Sequence, residues 1–132
     1  MQIQKKKSNF KKINLNPKQR KTSDCAIRAL AAVFNKGWLE VYDELTDLAR
    51  SLYSVPGASE TIKEYLKEYP VIPVKYENEF GTKKRYKVKD ICEWEGSYIV
   101  KVSNHITCVI DGYIQDIWDC SDHAAYIIWK IS

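Results

Sequence analysis

Apolar residues follow two different rhythms along this chain. Up to residue 69 they recur every three or four positions, and from Val71 onward they gather in short runs rich in β-branched and aromatic side chains. After Asn16-Pro17, which interrupts any earlier helix, Thr22-Ser23-Asp24 supplies capping oxygens. Ala26, Ile27, Leu30, Val33 and Phe34 then repeat at helical spacing as far as Asn35-Lys36-Gly37. A second helix is predicted from about Trp38 to Tyr53, with Val41, Leu45, Leu48, Ala49 and Leu52 on one stripe and Pro56-Gly57 behind it. A third, shorter one follows Ser59, uses Ile62, Tyr65 and Leu66, and stops at Pro70.

Strands are predicted over Val71–Val74, Arg85–Val88, Ser97–Val102, Ile106–Ile110, Tyr113–Trp118 and Ala125–Ile131. Asp111-Gly112, between two of these runs, is the signature of a two-residue type I′ hairpin. With Ile110 opposite Tyr113, Val109 meets Ile114, Thr107 meets Asp116 and His105 meets Trp118, so His105 and Asp116 share a face while Asp119 takes the other. Helices first and a meander afterwards define an α+β domain with an antiparallel sheet.

Composition supports one packed unit. In 132 residues, 45% hydrophobic and 12% aromatic, there is enough apolar surface for a core without staples. Charge is unevenly spread: residues 1–21 hold eight of the 21 basic side chains and no acid, which leaves 13 basic against 17 acidic in residues 22–132. We therefore expect a basic, flexible arm over residues 1–15 and a domain over 16–132. The arm could grip nucleic acid or another anionic partner by releasing counterions. No stretch reaches the ~20 apolar residues of a membrane span, and MQIQKKK has no secretion-signal core, so a cytoplasmic protein without a membrane partner is expected. In that compartment Cys25, Cys92, Cys108 and Cys120 should be free thiols.

One of the four stands apart. Cys25 opens the first helix, where the exposed N–H groups and the helix dipole favour a thiolate, and Gln19 precedes it by six residues. His105 begins a strand far downstream, and Asp116 has the parity needed to orient its ring. Nucleophile, base and orienting acid are the parts of covalent thiol catalysis, with Trp118 placed to cover the His–Asp bond and Gln19 to donate to an oxyanion beside the Cys25 N–H.

These motifs carry a family likeness. Gln19, then Asp24-Cys25 and Ala29-Leu30, resembles the opening of papain-like cysteine peptidases, in particular the small domains that cut leader peptides in bacteriocin exporters. His105 before an apolar strand, Asp111-Gly112, and Asp116 within IQDIWD is similar to that clan's histidine strand and orienting acid. The chain departs from the pattern at Ala26, where those peptidases usually have Gly, and at Ile117, where Pro is common. The resemblance implies a papain-like fold and a bacterial or phage cysteine peptidase that needs no cofactor and no metal. It would cut a peptide or isopeptide bond through Cys25, His105, Asp116 and Gln19.

Three other readings compete. The fold can serve as a deamidase or acyltransferase, or as a scaffold for nucleic-acid binding through the arm. Alternatively, His105, Cys108, Cys120 and His123 could hold zinc, although His105 and Cys108 should point to opposite faces of one strand.

Overall fold

The computed structural model describes residues 9–132. Its elements are strand β1 (Phe10–Lys12), helices α1 (Cys25–Phe34), α2 (Trp38–Ser51) and α3 (Ser59–Tyr65), strands β2 (Val71–Ile72), β3 (Lys75–Glu77) and β4 (Lys83–Arg85), helix α4 (Val88–Ile91), then strands β5 (Ser97–Val102), β6 (His105–Ile110), β7 (Tyr113–Asp116) and β8 (Ile127–Lys130). Six strands form one sheet in the order β1-β7-β6-β5-β8-β2, and β3-β4 is a separate hairpin. The α+β class and the antiparallel meander are as expected from the sequence, with one parallel exception at the edge.

The three predicted helices form where their apolar stripes place them. In α1 the chain stops at Asn35, which takes the left-handed conformation at φ 53° and sends its N–H back to the last carbonyls. Leu30, Val41, Leu45, Ile62 and Leu66, all fully buried, carry α1–α3 onto Ile99, Ile106, Cys108 and Trp129 of the sheet. Alternate strand residues serve the opposite face, where Val100, Val102, Val109, Ile114 and Ile128 pack with Val88 and Ile91 of α4. Period-2 alternation thus fills two cores from one sheet. Asp111 and Gly112 both have positive φ, 49° and 85°, as a type I′ turn requires. The β6–β7 register pairs Ile110 with Tyr113 and Val109 with Ile114, the pairing expected from the turn.

The differences have local causes. Arg85–Val88 is not one strand: it splits between β4 and the start of α4. Asp90 accepts from the Lys87 N–H at 2.8 Å and so caps a single helical turn, a signal hidden by the absence of Ser or Thr at Lys87. Strand β7 ends at Asp116 rather than Trp118, and Lys75–Glu77 pairs with Lys83–Arg85 across a loop tied by Asn78.

The largest difference concerns the arm. Within the expected flexible segment 1–15, Phe10–Lys12 is an edge strand parallel to β7, with Lys12 opposite Asp116. Ile114 N–H bonds Asn9 O at 2.7 Å, and Ile13 N–H bonds Asp116 O at 2.9 Å. Phe10 also packs against the second core, and Lys11 lies 4.2 Å from the Tyr113 ring centre. Pairing and packing therefore outweigh the charge pattern; residues 1–8 of the arm lie outside the described residues. Among the described residues, no helix is long and apolar enough to cross a membrane.

Deleting residues 1–15 removes β1 and uncovers the edge of β7. At about 1 kcal/mol for each backbone hydrogen bond, plus the packing of Phe10, we expect a loss of about 2–3 kcal/mol, read as a lower urea midpoint. An unchanged midpoint would show that β1 adds nothing to the domain.

Candidate active site

Helix α1 and strands β6 and β7 bring Cys25, His105 and Asp116 together from three parts of the chain. His105 Nε2 and Asp116 Oδ2 are 2.6 Å apart, which leaves Nδ1 as the ring nitrogen available to sulfur. The thiol and the imidazole act on each other electrostatically, and each shifts the other. Burial is the strongest influence on Cys25 and pushes it up. Bonds from His105 and the Ile106 backbone, with the charges of His105 and Arg28, more than offset this and hold the thiol below its ordinary value. His105 shows the reverse: burial pushes it down, but Asp116 and Cys25 raise it to about 9. Asp116 is itself buried, which works against its charge, yet its bond to His105 keeps it below the usual carboxylate range.

The other cysteines contrast sharply with this one. Cys108 and Cys120 are fully buried, and burial pushes both thiols up to about 12. Cys92 is buried as well, whereas Cys25 is partly exposed. Partial exposure and a place at a helix start beside an imidazole set Cys25 apart from the three buried thiols.

Trp118 packs edge-on against His105 with ring centres 5.0 Å apart, as expected of a cover over the His–Asp bond. His123, read from the sequence as a loop residue, meets the same indole edge-on with ring centres 4.7 Å apart. Asp119 is turned away, its Oδ1 accepting from Ser121 N–H at 3.0 Å.

Gln19 behaves differently from its assigned role. It sits at φ 54°, and its side-chain amide donates to Asn14 O at 2.9 Å and Asn16 O at 3.0 Å. Both amide protons are thereby used to fasten the loop before α1, and none is aimed at an oxyanion. The cap is also unlike the sequence expectation. Asp24 occupies the N-cap position of α1 but makes no capping bond, because its carboxylate is taken by three other donors. Asn16 Nδ2 and Trp38 Nε1 reach Oδ2 at 3.1 and 3.0 Å, and Arg28 Nε reaches Oδ1 at 2.8 Å.

Arg28 is the site residue that sequence reading missed. It is buried, and its Nη1 lies 2.9 Å from Asp116 Oδ1, on the carboxylate already bonded to His105. A signal existed: Asp24 and Arg28 stand at i,i+4, and an Arg on the otherwise apolar stripe of a buried helix needs a partner.

The zinc set His105, Cys108, Cys120, His123 does not assemble as such. Cys108 faces the helix-side core, with its thiol on Gln115 O. Among the described residues, the group whose ligand atoms converge is His105, Asp116 and Cys120, all within 4.8 Å of one another. Compared with known proteins, the chain matches no family model, no curated protein and no solved structure.

If Asp116 orients the ring, Asp116→Ala lowers the alkylation rate of Cys25 by iodoacetamide at pH 6 by about 10²-fold, the cost of a misplaced reacting group. Asp119→Ala leaves it nearly unchanged. The opposite ranking would reverse the assignment of the two acids.

Proposed function

We propose that this chain is a small cysteine peptidase of the papain-like type, acting in the cytoplasm on a protein or peptide substrate. The observation that carries the reading is the 2.6 Å His105–Asp116 bond facing a thiol at a helix start whose proton is held more loosely than usual. A thiolate–imidazolium pair is the resting form those shifts favour between the lowered Cys25 value and about 9.

In the reaction, Cys25 Sγ attacks the scissile carbonyl carbon and its electron pair forms a C–S bond while the carbonyl π pair moves to oxygen. Collapse of that intermediate expels the amine, which takes its proton from the His105 imidazolium, and leaves a thioester. Water then attacks the thioester and gives its proton to the now neutral His105, and the C–S pair leaves on sulfur, releasing the acid and restoring the thiolate–imidazolium pair. Asp116 stabilises the imidazolium and fixes which ring nitrogen carries the shared proton. The Cys25 N–H is the oxyanion donor that this helix start supplies; Gln19 could join it only by giving up a bond to Asn14 or Asn16.

A second reading rests on the convergence of His105, Asp116 and Cys120: zinc held there would take the imidazole away from catalysis. Equimolar zinc in purified protein, with unfolding on chelation, would favour it.

Incubation with a peptide library and mass analysis of the products tests the leading reading. New termini that appear with the wild type and not with Cys25→Ala support a peptidase; mass changes at intact side chains would reassign the chemistry to a deamidase or acyltransferase. Turnover should follow a bell in pH. On the acid side Cys25 regains its proton below its lowered value, and on the alkaline side His105 loses the proton needed by the leaving amine as pH passes about 9. A rate still rising above that limb would remove His105 as the acid.

A further inference from the structure

We propose that Arg28 is a positioning residue for the thiol–imidazole pair: it clamps Asp116 from beneath and anchors that carboxylate to the segment bearing the nucleophile. The inference rests on the peptidase reading and adds to it the device that sets the geometry of the pair.

Arg28 bonds two carboxylates at once. Its Nε meets Asp24 Oδ1 at 2.8 Å within α1, and its Nη1 meets Asp116 Oδ1 at 2.9 Å across 88 residues of chain. Side-chain exposure is 6% for the arginine and 3% for each acid, so these bonds are made away from water, where they are strong and directional. A helix pair with Asp24 alone would need only the first limb. The second limb is spent on the oxygen of Asp116 that His105 does not use.

That division of oxygens matters. Asp116 Oδ1 is held by Arg28 Nη1 and by the Ile117 N–H at 2.7 Å, which fixes the plane of the carboxylate and points Oδ2 at His105. The contacts then close on themselves. Cys25 meets His105, His105 meets Asp116, Asp116 meets Arg28, Arg28 meets Asp24, and Asp24 is joined to Cys25 by one peptide bond. The distance from thiol to imidazole is therefore set through a ring of four side-chain contacts, and Arg28 is the member that links helix to sheet. Its charge, one helical turn after Cys25, also favours the thiolate. The charged groups that act on the thiol are His105 and Arg28, and these in turn are paired with Asp116 and Asp24.

The test follows Cys25 alkylation by iodoacetamide against pH in the full chain, with the imidazole N–H protons of His105 observed by NMR. Arg28→Met keeps much of the volume and removes the charge and the fork. We expect the inflection of the Cys25 profile to rise by about one unit, the rate at pH 6 to fall about tenfold, and the downfield Nε2–H signal of His105 to broaden or vanish. Arg28→Lys keeps the charge without the planar fork. It should return the inflection close to wild type while the His105 signal stays broadened. Should Arg28→Met not fold, the pair Asp24→Asn with Arg28→Met, which leaves one fewer unpaired carboxylate, gives the same readings. A fast wild-type Cys25 with an unmoved inflection and an intact His105 signal in these variants overturns the role of Arg28 alone. A wild-type Cys25 no faster than the other three thiols overturns the peptidase reading and this role with it.

Discussion

The burial of one guanidinium between two carboxylates constrains the whole upper edge of this domain. Arg28, Asp24 and Asp116 are each almost withdrawn from water, and none could remain charged there alone. Breaking such a set by removing one member typically costs about 3–5 kcal/mol, a large part of the stability of a small domain. Asp24 also takes donors from Asn16 and from Trp38 of α2, so the pre-helix loop, α1, α2 and β7 all meet at one pair of acids. The apolar cores on either side of the sheet allow many small shifts. The ion set does not, and it is what holds the start of α1 against the ends of β6 and β7.

The lowered pKa of the Cys25 thiol is a property of place. Four cysteines share one side-chain chemistry, yet two are pushed up to about 12 by burial and one is drawn below its ordinary value beside an imidazole. The N-cap acid sharpens the contrast by not capping. Because Asp24 is turned toward Arg28, Asn16 and Trp38, it places no carboxylate oxygen on the first-turn N–H groups, where it would compete with a developing negative charge.

Much of this arrangement was legible in the sequence because it depends on periodicity. The stripes of α1–α3 and the parity of β6 and β7 follow from spacing, and Asp111-Gly112 sets a register that puts His105 and Asp116 on one face without any knowledge of the fold. Other parts were hidden because they depend on distant partners. Phe10–Lys12 reads as a solvated basic run until β7 offers an unpaired edge. Gln19 has the right spacing for an oxyanion donor, but a left-handed backbone turns its amide onto its own loop. Arg28 reads as one polar residue on an apolar stripe, and its second partner lies 88 positions away.

The edge strand β1 has a consequence for the order in which the molecule is made. Its contacts with the β6–β7 hairpin span 103 positions, from Asn9 to Gly112, so the first described residues leaving the ribosome must wait for almost the last before they can pair. Asp116 belongs to that same late strand. The nascent chain therefore carries its thiol before the imidazole–carboxylate couple that lowers its pKa has been made, and the shift waits on the closing of β1 and β7 around the sheet edge.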